Sequence, residues 1–72
     1  MYAIQNIKTK KFVYGTDYRY PNPHQRTSHN QLLTYADYET AKIDFRTRRC
    51  GKDYRVVEVE VRRVIEVKEE KA

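Results

Sequence analysis

Hydrophobic and polar residues alternate along the C-terminal part of the chain, from Tyr54 to Val67. One side of this pattern carries Val57, Val59, Val61, Ile65 and Val67, broken only by Arg63. The other side carries Glu58, Glu60, Arg62 and Glu66 together with Tyr54, Val56 and Val64. A period of two is typical of a β-strand that packs one face on a core. The pattern therefore predicts a single strand of fourteen residues.

A strand of that length is long for this chain. At roughly 3.3 Å per residue it would span about 46 Å, whereas a compact domain of this size is about 29 Å across. Either the strand stops or bends near Arg62 and Arg63, or its second half pairs outside the monomer. An exposed valine-rich edge would favour aggregation, so we expect pairing with a second copy. The predicted dimer interface, in which acidic and basic residues of two antiparallel strands face each other, comprises Glu58, Glu60, Arg62, Arg63, Ile65 and Val67.

The N-terminal half predicts a β-hairpin followed by a loop. Tyr2–Ile7 and Phe12–Gly15 have the composition of strands, and the polar stretch Lys8–Lys11 between them suits a turn. Residues Thr16–Asn30 show little periodicity and include two X-Pro dipeptides, which disfavour helix. We expect a loop of about fifteen residues there.

The segment from Asp37 to Cys50 has the features of a helix. Asp37 is a suitable N-cap, with Thr34 as the other candidate. Three core residues share one face, namely Tyr38, Ala41 and Phe45. Arginines in the last turn complement the helix dipole, and Gly51 suits a left-handed residue just after the helix.

These elements predict an α+β fold, with a small antiparallel three-stranded sheet formed by the N-terminal hairpin and the long C-terminal strand. One helix packs on the sheet. Residues 1–67 would form a single domain and residues 68–72 a polar tail. The predicted core comprises Ile4, Phe12, Tyr14, Leu32, Tyr38, Ala41, Phe45, Val57, Val59 and Val61.

Size and composition bear on assembly and location. A domain of 72 residues buries only about 60% of its unfolded surface, and a single cysteine excludes an intramolecular disulfide. Oligomerisation is the remaining source of stability, which again favours a homodimer. No apolar run approaches the roughly 20 residues of a membrane span, and the N-terminus lacks the order of a signal peptide. We therefore expect a cytoplasmic protein that does not bind membranes.

The net charge of +5 is unevenly distributed along the chain. Residues 1–55 hold eleven Lys and Arg against five Asp and Glu, whereas residues 56–72 hold four against five. The basic and aromatic residues of the loop and helix end form a candidate binding surface: Tyr18, Arg19, Tyr20, His24, Arg26, Arg46, Arg48, Arg49 and Lys52. Arginines pair with phosphates and tyrosines stack on unpaired bases, so single-stranded RNA or DNA would suit this surface. The alternative is that the arginines serve solubility and the helix dipole, while the tyrosines cover the core.

The remaining reactive residues do not form a recognisable site. His24 and His29 have no further ligand at metal-binding spacing, so both are interpreted as loop residues. Cys50 has no histidine nearby in sequence and is expected to be a buried structural thiol. Because no nucleophile and base, phosphate loop or metal triad can be assembled, the sequence predicts no enzyme activity and no cofactor.

Three stretches together resemble the Yopt family, a small group of prophage-encoded proteins of Bacillus: "KTKKFVYGTDYRY", "RTRRCGKDY" and "RVVEVEVRRVIEV". The resemblance covers essentially the whole chain and lies in its layout and length. It implies one helix and three strands per monomer, a homodimer, and no functional residues to carry over. The resulting hypothesis is a non-catalytic prophage accessory protein that binds a partner, such as a host or phage protein, through Tyr18–Asn30 and the helix end. Nucleic-acid binding by the same surface is the alternative.

Overall fold

The computed structural model describes the backbone of residues 1–61 and 65–71, and the side chains of residues 1–60 and of Val67. Within these ranges the protein has one helix and five strands. They are β1 (Tyr2–Asn6), β2 (Phe12–Asp17), β3 (His24–Ser28), α1 (Tyr38–Thr47), β4 (Tyr54–Val61) and β5 (Ile65–Lys71). The predicted α+β class is confirmed, but the prediction of a three-stranded sheet is wrong.

The strands form one antiparallel sheet in the order β3-β2-β1-β4-β5. The central strand β1 pairs with β2, where Gln5 lies opposite Phe12. On its other side β1 pairs with β4, from Tyr2 opposite Glu58 to Asn6 opposite Tyr54. The predicted N-terminal hairpin is confirmed. In the turn of this hairpin, the Asn6 side chain accepts hydrogen bonds from the backbone amides of Lys8 and Thr9, at 2.8 and 3.0 Å.

The predicted fourteen-residue strand is two strands. β4 and β5 pair with each other, and Val61 lies opposite Ile65, so the chain reverses within the alternating pattern. The length of the pattern therefore no longer requires a second copy. Glu58 and Glu60 lie opposite Glu69 and Glu66 of β5 in the same chain.

The other members of the predicted dimer interface are only partly described. Val67 is exposed, and the side chain of Ile65 lies outside the described residues, as do Arg62 and Arg63. Homodimer formation, and the interface drawn for it, stay predictions. Residues 68–71 are polar, but they belong to the sheet, since β5 extends to Lys71.

Strand β3 lies inside the segment predicted to be a loop. It pairs with β2 from Phe12 opposite Ser28 to Asp17 opposite His24, with a bulge between Val13 and Gly15. The connecting loop is therefore shortened to residues 18–23, which we call the β2–β3 tip. The hydrophobic pattern misses β3 because its sequence, HQRTS, is polar throughout, as an edge strand can be.

The helix begins as predicted and ends differently. The Asp37 side chain accepts a hydrogen bond from the Thr40 amide at 2.8 Å, which confirms the N-cap. At the C-terminus, the Arg49 amide donates to Arg46 O and the Cys50 amide donates to Phe45 O, which together form a Schellman motif. The left-handed residue of this motif is Arg49, with φ of 52°. The glycine expected in that role, at position 51, also has a positive φ but lies two residues later.

The core fills both faces of the sheet. Successive residues of a strand point to opposite faces, and Ile4 packs towards the helix while Ala3 packs on the other face. The helix-side cluster consists of Ile4, Val13, Ala41, Cys50 and Val56, with Tyr2, Tyr35, Tyr38, Phe45 and Tyr54 packed against it. The opposite cluster consists of Ala3, Phe12, Val57 and Val59, with Leu32 packed against it.

Most of the predicted core is confirmed. Five of its members are buried, namely Ile4, Phe12, Ala41, Val57 and Val59, and Leu32, Tyr38 and Phe45 are partly buried. Tyr14 is 39% exposed, so its assignment to the core is wrong. The side chain of Val61 lies outside the described residues. Val56 and Val57 are both buried, so the expectation of one polar face on this strand is also wrong.

The only helix in the described part of the chain, α1, has ten residues, and no helix there is long and apolar enough to cross a membrane.

Candidate functional site

The helix end and the β2–β3 hairpin are joined through Arg48. Its Nη1 donates to Thr16 Oγ1 at 2.8 Å, and its Nε donates to Asp44 Oδ2 at 2.7 Å. The Gln25 side chain donates to the Arg48 carbonyl at 2.6 Å. We call this set the Arg48 clamp. The clamp holds the Arg48 side chain at 22% exposure, so this predicted binding residue has a structural role.

Tyr35 completes the clamp from the segment that leads into the helix. Its backbone bonds to Tyr2 in both directions, and its hydroxyl donates to Asp44. Burial raises the pKa of Tyr35, and the hydrogen bond to Asp44 adds to the shift. For Asp44, burial acts to raise the pKa, but hydrogen bonds from Tyr35 and Arg48 outweigh it and the net shift is downward. The carboxylate is therefore charged and the tyrosine protonated over the ordinary pH range.

At the β2–β3 tip, Arg19 shares the Asp17 carboxylate at the end of β2 with Arg26 of β3. Arg19 Nε and Nη2 donate to Asp17 at 3.0 and 2.7 Å, and Arg26 approaches the same carboxylate at 3.6 Å. The hydrogen bonds from Arg19 lower the pKa of Asp17. Tyr20 stacks on the His24 ring at 4.1 Å between centroids, and Tyr18 and Tyr20 are exposed. The end of the hairpin therefore presents aromatic rings, and its two arginines exceed the shared carboxylate by one positive charge.

A larger excess of positive charge lies along the helix and just after it. Lys42 and Arg46 are one turn apart on α1, and Arg49 follows the helix as the left-handed residue of the Schellman motif. Arg46 and Arg49 are exposed, and none of the three makes an ion pair within the part of the chain that the structure describes. We call these residues the helix row. The surface predicted as one patch is thus divided, with Arg48 facing the hairpin and Arg46 and Arg49 in the helix row.

Beside the helix row lies a cleft between α1 and β4, with a volume of about 220 Å³. It is lined by Tyr38, Lys42, Phe45, Arg46, Tyr54, Arg55 and Val56. Tyr54 and Val56 share the face of β4 that packs towards the helix, so the Arg55 side chain between them projects to the other face. The cations at the cleft therefore come from the helix. No lining residue is acidic.

Sequence reasoning missed the cleft because it assigned Tyr38 and Phe45 entirely to the core. The available signal was the interleaving of these aromatic residues with Lys42 and Arg46 along one side of the helix. Tyr54 carried no signal, because its approach to the helix depends on how β4 packs. The Lys42 Nζ lies 5.9 Å from the centre of the Tyr38 ring, in cation–π range.

The structure also describes the cysteine, the two histidines and Lys52. Cys50 is buried, as expected, and burial raises the pKa of its thiol to about 11 despite the opposing charge of Arg48. His24, His29 and Lys52 are exposed. Among the residues that the structure describes, no three His, Cys, Asp or Glu side chains are grouped so that they could hold a metal ion.

The backbone of Arg49 leads to a stability prediction. The left-handed conformation costs a non-glycine residue roughly 1–2 kcal/mol of folding free energy. Glycine avoids this cost, but it offsets part of the gain because it loses more conformational entropy when the chain folds. We expect Arg49→Gly to raise the free energy of unfolding by about 0.5–1 kcal/mol, measured by urea denaturation. Arg49→Ala is the control, because it removes the charge and keeps the strained backbone. Equal stability of the two variants would contradict the prediction.

No protein-family model matches the sequence, and no match was found among the curated proteins or the solved structures. The resemblance to the Yopt family stays a prediction. The candidate site is therefore interpreted from its own geometry and charge.

Proposed function

We propose that this chain is a small non-catalytic accessory protein that acts by binding a partner, and that the partner is single-stranded nucleic acid. The observation that carries the proposal is the helix row: Lys42 and Arg46 on one side of α1 and Arg49 just after it, three cations that have no ion-pair partner among the described residues. The prophage origin implied by the Yopt resemblance fits an accessory role and belongs to the same proposal.

The charge distribution supports an anionic partner. Asp17, Asp44 and Asp53 are each engaged by cations outside the helix row. Lys42 and Arg46 instead stand one turn apart as like charges, which costs an isolated helix about 0.2–0.5 kcal/mol. An external anion removes this repulsion. Phosphates along a nucleic-acid backbone supply anions in a row, and their contacts with Lys and Arg release counterions.

The aromatic residues favour a single strand over a duplex. Tyr14, Tyr18 and Tyr20 are exposed on β2 and the β2–β3 tip, and the cleft adds the rings of Tyr38, Phe45 and Tyr54. Bases of a single strand can stack on such rings, which is worth about 1–3 kcal/mol per base. In a duplex the faces of the bases are already stacked on one another.

The state of the one thiol supports binding over catalysis. A nucleophilic cysteine needs access and a lowered pKa, whereas Cys50 is buried and its pKa is raised to about 11.

The proposal is tested by the salt dependence of binding. Fluorescence anisotropy with labelled oligothymidylate should show an affinity that falls as salt rises. Lys42→Ala combined with Arg46→Ala removes two contacts, so the log-log slope should become shallower by about 1.4. The control, Lys8→Ala combined with Lys11→Ala, removes the same charge from the β1–β2 turn and should change the slope little.

Three outcomes would contradict the proposal. Absence of binding at low salt would remove nucleic acid as the partner. An equal loss in the control variant would show that net charge, and not the helix row, governs binding. Tighter binding to a duplex of the same length would overturn the preference for a single strand.

A further inference from the structure

We infer that the cleft between α1 and β4 binds one base of the nucleic-acid strand, with the adjoining phosphate held at the cleft mouth by Lys42 and Arg46. This inference rests on the proposed function and adds a specific site to it. The cleft combines apolar aromatic walls with two helix cations and contains no carboxylate. A ligand that matches both properties carries a ring and an acid a short distance apart, as a nucleotide does.

The size of the cleft limits what it can hold. Sites for drug-sized ligands and cofactors occupy roughly 300–1,000 Å³, whereas this cleft measures about 220 Å³. It has room for a ring but not for a complete dinucleotide or a large cofactor. The phosphate of a bound nucleotide would therefore remain at the mouth, where the exposed Arg46 side chain lies.

The cleft walls are held in place by contacts outside the cleft. The Tyr38 ring meets the Tyr2 ring edge-on, with centroids 5.9 Å apart and planes at 68°. Phe45 and Tyr54 both pack against the helix-side cluster. Walls fixed in this way do not need to be ordered when a ligand binds, which favours affinity.

The two cations are placed for a shared phosphate. Lys42 is half-buried, and its amine lies over the Tyr38 ring at the cleft. Arg46 projects from the same side of the helix one turn later. An aspartate or glutamate side chain would satisfy these charges but has no ring to cover the apolar walls, so an acidic peptide fits the site less well than a nucleotide.

The test is a titration of the full chain with thymidine monophosphate, followed by amide and aromatic NMR shifts. We expect shifts centred on Tyr38, Phe45 and Tyr54, and an affinity at least about tenfold higher than that of inorganic phosphate, because stacking contributes only when a base is present. Phe45→Leu keeps most of the apolar volume and removes the ring, so it should lower the affinity by about tenfold. Ile43→Ala is the control, because it removes exposed apolar surface from the same helix at a residue that does not line the cleft, and it should leave the affinity for the mononucleotide unchanged.

A second variant keeps the test valid if Phe45→Leu does not fold. Arg46→Ala changes an exposed side chain, and it should weaken binding of thymidine monophosphate while leaving binding of thymidine, which has no phosphate, unaltered. Equal losses for both ligands would contradict a phosphate contact at Arg46.

The outcomes separate this inference from the proposed function. If oligothymidylate binds but the mononucleotide causes no shifts at the cleft, the base site is wrong and the proposed function stands. If neither binds, both fail. If inorganic phosphate matches the mononucleotide, the cleft does not bind the base, and if a short acidic peptide with an aromatic residue binds more tightly, the ligand is a peptide.

Discussion

Replacing Ile4 with alanine is expected to lower the free energy of unfolding by about 2–5 kcal/mol. Ile4 is 1% exposed on the central strand and packs in the helix-side cluster, so a shorter side chain leaves a cavity. Domains have stabilities of about 0.05–0.15 kcal/mol per residue, or about 4–11 kcal/mol for a chain of this length. The variant would therefore lose a large fraction of its stability.

Urea denaturation followed by circular dichroism measures this effect, since the chain has no tryptophan to report unfolding. Ile43→Ala is the matched control, because Ile43 is 62% exposed on α1 and the same atoms are removed from solvent-facing surface. Its effect should stay within about 0.5 kcal/mol. Similar losses for the two variants would show that Ile4 does not lie in the core.

Replacing Asp44 with alanine is expected to lower the free energy of unfolding by about 2 kcal/mol, because it leaves partly buried donors on Tyr35 and Arg48 without their acceptor. The side chains of Asp44 and Arg48 are 26% and 22% exposed. The change also loosens the Arg48 clamp, so the amides of β3 should exchange with solvent faster, which hydrogen exchange measures. Unchanged exchange in β3 would contradict the assignment of the clamp as the connection between helix and hairpin.

The same carboxylate predicts a dependence on pH. The pKa of Asp44 is lowered in the folded protein, so its contribution to stability is present above the unfolded pKa of about 3.9 and is lost as pH falls through the folded value. Asp44→Asn keeps the shape of the side chain and removes its charge. As the pH falls from about 5 to about 2, the free energy of unfolding should therefore decrease less for this variant than for the wild type. Parallel curves for the two proteins would contradict this role. The pKa values of Asp17 and Asp37 are also lowered, so both residues contribute to the loss of stability in acid, equally in the wild type and in the variant.

The sequence predicts the elements whose signals are local. Asp37 as N-cap, the arginines in the last turn and the apolar face of the helix agree with one another, and the structure confirms the helix. The N-terminal hairpin is found for the same reason, because its polar turn separates two apolar stretches. The reversal between Val61 and Ile65 is missed because the three residues there, RRV, include none of the usual turn residues, and the alternation continues on both sides.

The candidate site depends on contacts that no local pattern encodes. Arg48 and Thr16 are 32 residues apart in sequence, and nothing in the spacing of either residue indicates their hydrogen bond. The cations of the helix row are visible in the sequence, but separating Arg46 from Arg48 requires knowledge of which helix face meets the hairpin. The cleft requires, in addition, the packing of α1 against β4.

The position of β1 in the centre of the sheet has a consequence for synthesis. Tyr2 pairs with Glu58, 56 positions later in the chain, and ribosomes add about 5–20 residues per second. The first strand therefore exists for roughly 3–11 seconds before its second neighbour has been made. The β1–β2–β3 meander and the helix are made in that interval, but the helix still lacks β4, the second strand on which it packs. The sheet is completed only after β4 and β5 have been made, so its central strand gains its second neighbour after most of the domain has been synthesised.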